Sequence, residues 1–130
     1  MFGQVPEEVK IFLVEAYENL DQVERDLVNL EKDPGDFDLI NRVFRAIHTI
    51  KGNCGFLGFH ITERLCHKAE TVLDKLRNKD LTVNAEIISA LLSATDCTRR
   101  LCQQIEANGD EEGVETYQLV TKLHSFVEVE

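Results

Sequence analysis

The sequence predicts an all-α fold, an antiparallel up-down four-helix bundle with an additional C-terminal helix. Apolar residues recur every three or four positions over long stretches, which is the spacing of amphipathic helices. Only seven glycines and two prolines occur among 130 residues, and this scarcity disfavours a turn-rich β structure. The predicted connections between the helices are short, and short connections place consecutive helices antiparallel to each other.

The first predicted helix begins near Pro6 and ends at the turn formed by residues 33–35. Proline is tolerated at a helix start, because an N–H at that position would have no acceptor within the helix. Apolar residues repeat along the helix in alternating steps of four and three, as in the seam of a coiled coil. These residues are Val9, Leu13, Ala16, Leu20, Val23, Leu27 and Leu30.

The second helix is predicted to start after Asp36, a favourable N-cap residue, and to end at Gly58. Its apolar stripe consists of Ile40, Val43, Phe44, Ile47, Ile50, Cys54 and Leu57. The third helix is predicted from about Thr62 to Asn78. Its inward positions are Leu65, Ala69, Val72, Leu73 and Leu76.

The fourth helix is predicted to follow an N-cap at Thr82 or Asn84 and to complete a bundle spanning about 6–107. Its inward positions are Ile87, Ile88, Leu91, Leu92, Thr95, Leu101 and Ile105. An acidic loop over 107–113 leads to a fifth helix at about 114–127. Its apolar side consists of Tyr117, Val120, Leu123 and Val127. We expect residues 1–130 to form one domain.

Composition excludes several classes of function. The net charge of −10 argues against nucleic acid and anionic membranes as partners. No apolar run reaches the length of roughly 18 residues that a membrane span needs, and no signal peptide is evident. The four cysteines include no C-x-x-C pair, which favours a reduced, cytoplasmic protein without a metal site. Without a glycine-rich phosphate loop, we expect no bound cofactor.

The most informative segment surrounds His48 on the second helix. Gly52 and Gly55 follow His48 by four and seven positions, so the three residues share one helix face. A glycine inside a helix costs roughly 1 kcal/mol relative to alanine, so we expect the bare surface to be useful. The use we predict is access of another molecule to the ring. Arg45 and Lys51, at three positions on either side, place positive charge beside the histidine.

The third helix offers a polar stripe that can border His48. Glu63, His67, Glu70 and Asp74 follow one another in steps of four, three and four. If the second and third helices pack antiparallel, a carboxylate of this stripe can accept the proton of one ring nitrogen. The other nitrogen is then free to act as a nucleophile.

Each of these features also has an ordinary interpretation. A surface histidine is most often merely solvated, helical glycines often serve close packing, and a charged stripe is often a solvated face. Cys66, His67 and His60 suggest a metal only weakly, because neighbouring helical residues point about 100° apart. The combination of histidine, lysine and glycine on one surface is what favours a functional site.

The motif His48-x-x-Lys51-Gly52, followed by Gly55-x-Leu57-Gly58, resembles the signature of histidine phosphotransfer (HPt) domains. It is most similar to the N-terminal phosphotransfer domain of CheA-type chemotaxis histidine kinases, and the resemblance extends over nearly the whole chain. It implies that His48 accepts the γ-phosphoryl group of ATP from the catalytic domain of a histidine kinase. The phosphoryl group then passes to an aspartate of a response regulator receiver domain of the CheY or CheB type.

The resemblance also implies roles for the surrounding residues. Lys51 would stabilise the phosphoryl group, Glu70 would hydrogen-bond His48, and His67 would extend this network. Arg45, Gly52 and Gly55 would form the surface on which partners dock. Asn53 departs from the small residue that is common at its position, but it lies off the His48 face.

The sequence leaves four interpretations to be separated. The chain is either the N-terminal part of a longer kinase, with the ATP chemistry performed elsewhere, or a stand-alone relay domain loaded from an aspartate. A helical docking module without chemistry would tolerate replacement of His48. A metalloprotein built on a bundle would contain stoichiometric metal.

Overall fold

Five α-helices and no β-strand are present in residues 5–128, the part of the chain that this computed structural model describes. The helices are α1 (Glu7–Lys32), α2 (Phe37–Leu57), α3 (His60–Arg77), α4 (Ala85–Asn108) and α5 (Tyr117–Val127). The predicted all-α fold is therefore confirmed. None of the described helices is both long and apolar enough to cross a membrane.

The helix ends follow local signals in the sequence. The side chain of Asp36 accepts a hydrogen bond from the backbone N–H of Leu39 at 3.3 Å, and Asn84 caps α4 in the same way. Of the two N-cap candidates for α4, Asn84 is thus the one used. Gly58 and Gly109 end α2 and α4 with φ angles of 88° and 79°, a left-handed conformation that is favourable for glycine.

The packing order is that of an up-down bundle. α1 packs against α2 and α4, and α3 packs against α2 and α4, whereas no Cα atoms of the described diagonal pairs α1–α3 and α2–α4 come within 8 Å of each other. α5 lies across α3 and α4. Consequently α2 has α3 as its neighbour on one side and α1 on the other.

The core is built from the apolar stripes that the sequence predicts. All seven positions of the α1 seam are buried, as are all five inward positions of α3. In α2, Phe44 and Leu57 are only half-buried, while the other members of the stripe are buried. α5 contributes the fully buried Leu123. Burying one such side chain contributes roughly 1.5–3 kcal/mol, so these stripes determine which helix faces meet.

α5 begins later than the sequence predicts. The helix starts at Tyr117 rather than near 114, because the carboxylate of Glu115 accepts hydrogen bonds from the backbone N–H groups of Tyr117 and Gln118. Residues 115 and 116 therefore belong to a capping turn. The side chain of Tyr117, at the first position of this helix, is 76% exposed, so it does not contribute to the core.

The start of α3 is stabilised by a residue far away in the sequence. Phe59, the N-cap, provides no side-chain acceptor. Instead, the carboxylate of Glu111, in the loop between α4 and α5, accepts from the backbone N–H groups of Ile61 at 3.1 Å and Thr62 at 2.7 Å. The Thr62 hydroxyl donates to the same carboxylate at 2.5 Å. The negative charge of Glu111 at this helix N-terminus also interacts favourably with the helix dipole.

Removing this cap should destabilise the fold. We expect Glu111→Ala to lower the free energy of unfolding by about 1–2 kcal/mol, because two helix N–H groups lose their acceptor. The exposed neighbour Glu112 provides the control, and Glu112→Ala should change stability by less than about 0.5 kcal/mol. Urea unfolding of both variants measures the difference. Equal midpoints for the two variants would show that Glu111 does not stabilise α3.

Candidate functional site

His48 lies on the face of α2 that borders α3, and its side chain is 60% exposed. The carboxylate of Glu70, on α3, contacts two α2 residues at once. One oxygen is hydrogen-bonded to Nδ1 of His48, and the other accepts from Nζ of Lys51 at 2.6 Å. The packing of α2 against α3 therefore brings together three residues that the sequence singles out.

The electrostatic environment keeps Glu70 ionised. Burial by itself raises the pKa of the Glu70 carboxyl, but the hydrogen bonds from Lys51 and His48 outweigh this effect, and the pKa lies below its usual value. An ionised carboxylate only accepts hydrogen bonds, so Nδ1 of His48 is the donor. In the neutral ring, Nε2 then has a free lone pair. The site thus holds an imidazole in a defined tautomer, with a free lone pair on Nε2.

The two glycines near His48 have different surroundings. A Cβ atom added at Gly52 would meet no neighbouring atom within 4 Å, so the surface there is open. A Cβ added at Gly55 would lie 2.7 Å from Oε2 of Glu63 on α3. Gly55 therefore makes room for the side chain of Glu63, the ordinary packing role of a helical glycine. Its predicted contact with a partner stays a prediction.

Arg45 and His67 are both exposed. The His67 ring lies near Lys51 at an open depression, but it makes no hydrogen bond within residues 5–128. Its predicted place in the hydrogen-bond network of His48 therefore stays a prediction. Of the polar stripe on α3, only Glu70 reaches His48. Glu63 contacts His60 at 2.9 Å, and Asp74 contacts the guanidinium of Arg77 at 2.7 Å.

Sequence reasoning missed one neighbour of His48. The ring of Phe44 lies parallel to the imidazole, with a centroid distance of 6.0 Å and an interplanar angle of 5°. The guanidinium of Arg77 lies 3.9 Å from the centroid of the Phe44 ring. Phe44 precedes His48 by one helical turn, and this spacing was a usable signal. However, the position of Phe44 also fits the apolar stripe of α2, and the sequence predicts it as a member of that stripe.

The cysteines behave as small core residues, as predicted. All four are buried as free thiols. Burial raises the pKa of Cys66 and that of Cys102 to about 12, which leaves both thiols protonated and unreactive at neutral pH. Within the described part of the chain, no three histidine, cysteine or acidic side chains converge in a way that could hold a metal ion.

Comparisons with known proteins identify the family of this chain. A model of the Hpt domain family matches residues 7–126. The sensor histidine kinase CheAY of Helicobacter pylori is 39% identical over 100 residues, which is 77% of this chain but 12% of that protein. The chemotaxis protein CheA of Bacillus subtilis is 37% identical over 77% of this chain and 15% of its own length. The chain thus spans a small part of the curated relatives it matches.

Solved structures show the same fold. A solution structure of the histidine phosphotransfer domain of CheA matches with a TM-score of 0.85 and 33% identity, covering 92% of this chain and 91% of that one. The phosphorylated P1 domain of CheA3 in complex with CheY6 from R. sphaeroides matches with a TM-score of 0.85 and 28% identity, covering 92% and 94%. The chain is a phosphotransfer domain of the kind found in chemotaxis kinases, and it belongs to the Hpt domain family.

Proposed function

We propose that His48 accepts a phosphoryl group from the catalytic domain of a histidine kinase and passes it to an aspartate of a response regulator. The observation that supports this most directly is the Glu70 carboxylate on Nδ1 of His48, which leaves Nε2 as the nucleophile on a ring that is 60% exposed. The relatives named as chemotaxis kinases support the choice of donor.

In the proposed reaction, Nε2 of His48 attacks the γ-phosphorus of ATP, and ADP leaves. The ring gains positive charge as the N–P bond forms, and the ionised Glu70 stabilises that charge through the Nδ1 proton. Lys51 holds Glu70 in place and keeps it ionised. Phosphoryl transfer needs little covalent chemistry from the protein, so position and charge are what this domain contributes. We assign the binding of ATP to a separate catalytic domain.

For the acceptor we propose a receiver domain of the CheY or CheB type. The solved complex of a similar P1 domain with CheY6 supports a receiver as partner. In a chain with a net charge of −10, Arg45 and Lys51 place positive charge around His48. Such a cationic surface suits both the triphosphate of the donor and the carboxylates of an acceptor. Gly52 leaves the approach open on this face.

The location that we propose is cytoplasmic. Four buried cysteines that remain free thiols suit a reducing compartment. The parent polypeptide in this proposal is a longer histidine kinase, of which this chain is the phosphotransfer part.

One labelling experiment tests the donor. The chain is incubated with the kinase core of a CheA-type protein and radiolabelled ATP, and the site of the acid-labile, base-stable phosphate is mapped. Rapid labelling at His48 that depends on the kinase core is the expected result. Labelling that requires a phosphorylated receiver domain instead would identify a relay domain. No labelling from either donor would favour a docking module without chemistry.

Gly52 provides a test of partner access. We expect Gly52→Gln to leave the melting temperature unchanged or raise it, because glycine costs an exposed helix up to about 1 kcal/mol and no atom obstructs the new side chain. Phosphorylation of His48 should nevertheless fall more than about tenfold, since an in-line transfer needs reacting atoms within about 3–3.5 Å. Melting curves and initial labelling rates measure the two effects.

A matched control is Ser93→Gln, which adds the same side chain at an exposed site of α4, a helix that lies diagonally opposite α2 in the bundle. It should be labelled at the wild-type rate. Strong destabilisation of Gly52→Gln would assign Gly52 to helix packing. A stable and fully active Gly52→Gln would show that partners do not approach over this surface.

A further inference from the structure

A stack of side chains extends from the imidazole of His48 to the end of α3. Apart from His48, its members have no role in the proposed reaction. It consists of His48, Phe44, Arg77 and Asp74, and we call it the His48 stack. Phe44 is parallel to the imidazole within 5°, Arg77 lies 3.9 Å from the centre of the Phe44 ring, and Asp74 holds the Arg77 guanidinium at 2.7 Å. The stack therefore links the last turns of α3 to the reactive ring on α2.

One hydrogen bond does not fix the orientation of an imidazole. The bond from Nδ1 of His48 to Glu70 fixes one point of the ring, but the ring can still tilt about that bond. The last torsion of a histidine side chain has a broad energy minimum, so the rotamer does not prevent the tilt. In a site where the histidine is 60% exposed, a second contact must define the plane of the ring.

Phe44 is suited to define that plane. A parallel ring with a centroid distance of 6.0 Å is within the range of an offset aromatic stack. Phe44 is itself held from α3, because the Arg77 guanidinium covers its ring in cation–π geometry. Arg77 is 39% exposed and is oriented by Asp74, so this support does not depend on the buried core.

We infer that Phe44 and Arg77 are positioning residues for phosphoryl transfer: Phe44 fixes the tilt of the His48 ring, and Arg77 fixes Phe44. This inference rests on the proposed role of His48 as the phospho-acceptor. Glu70 and Phe44 then act together, the first by setting which nitrogen is free and the second by setting the direction in which Nε2 points.

The test uses two phosphoryl donors of different size. One is the kinase core with ATP, and the other is phosphoramidate, a small molecule that does not dock as a protein does. With phosphoramidate, a bond forms between Nε2 and phosphorus, the bond from phosphorus to nitrogen breaks, and ammonia leaves. We expect Phe44→Leu to slow loading of His48 about tenfold with both donors, because even a small misplacement of reacting atoms causes a large loss of rate.

The conservative variant Phe44→Tyr keeps the flat ring and should load within about twofold of the wild-type rate. Arg77→Gln keeps Phe44 but removes the cation, and it should slow both donors by about threefold. Its control is Arg100→Gln, which removes another exposed arginine that is paired with an aspartate of its own helix, Asp96 on α4. Arg100→Gln should load at the wild-type rate.

Each outcome decides the inference. If Phe44→Leu is loaded more slowly by the kinase core but normally by phosphoramidate, Phe44 contributes to partner docking and the positioning role is overturned. Wild-type rates for both Phe44→Leu and Arg77→Gln would also overturn it. If Phe44→Leu does not fold, the exposed Arg77 decides, because a slower Arg77→Gln beside a normal Arg100→Gln supports the inference and equal rates reject it. Failure of the unsubstituted chain to load from either donor would instead reject the proposed function.

Discussion

Replacing His48 by glutamine is expected to abolish all incorporation of phosphate from ATP and the kinase core. Glutamine keeps a polar side chain of similar length, but it has no ring nitrogen with a nucleophilic lone pair. The fold should be unaffected, because the His48 side chain is 60% exposed and contributes nothing to the core. Labelling measured by autoradiography and helix content measured by circular dichroism check the two parts of this prediction.

The other histidines serve as controls for this substitution. His60 is more exposed than His48, at 72%, and also contacts a carboxylate through Nδ1, that of Glu63. It nevertheless makes no hydrogen bond or ion pair with Glu70 or Lys51. His60→Gln should be labelled at the wild-type rate. Phosphate that persists in His48→Gln would exclude His48 as the acceptor, whatever the rate in the control.

Glu70→Ala is expected to slow loading of His48 by about 100-fold or more, which is the usual loss when a group that stabilises the charge developing in a transition state is removed. Without the carboxylate, nothing keeps the proton on Nδ1, and both tautomers of the ring become populated. The positive charge that develops on the ring also loses its counter-ion. Single-turnover labelling with excess kinase core measures the rate of the chemical step.

Two variants separate chemistry from structure at this position. Glu63→Ala removes another acidic residue of α3 that lies near α2 but does not contact His48, and it should load at a near-normal rate. Glu70→Gln keeps the shape of the side chain but not the charge, and it should lose nearly as much rate as Glu70→Ala. A Glu70→Gln variant with full activity would show that charge at this position is unimportant.

The parts of the fold that the sequence predicts are those with local causes. The seam of α1 follows from the burial of residues spaced by four and three, and the caps Asp36 and Asn84 act on N–H groups three residues away. The start of α3 could not be predicted in this way, because its cap is Glu111, about fifty residues later in the chain. The start of α5 differs from the prediction because Glu115 caps the helix. The loop contains several acidic residues, and the sequence does not show which of them is the cap.

The candidate site shows the same division. The spacing on α3 indicates only that some carboxylate of the polar stripe borders His48, whereas the family resemblance indicates Glu70. The structure places Glu70 on His48. Gly55 shares a helix face with His48, but the angular position on one helix does not say which part of that face a neighbouring helix covers. At Gly55, the side chain of Glu63 on α3 covers this face of α2. The sequence does not predict the contact of Phe44 with His48, because a residue four positions before His48 also fits the apolar stripe of α2.

The contact between Glu70 and Nδ1 has a consequence for the reverse reaction. Glu70 binds the nitrogen that does not receive phosphorus, so the formation of an N–P bond at Nε2 does not displace this contact. In the proposed function, the proton held on Nδ1 also makes the ring a good leaving group when a receiver aspartate attacks. A group that stabilises one transition state lowers the barrier in both directions. Loss of Glu70 should therefore slow both the charging of His48 from ATP and the return of the phosphoryl group to ADP.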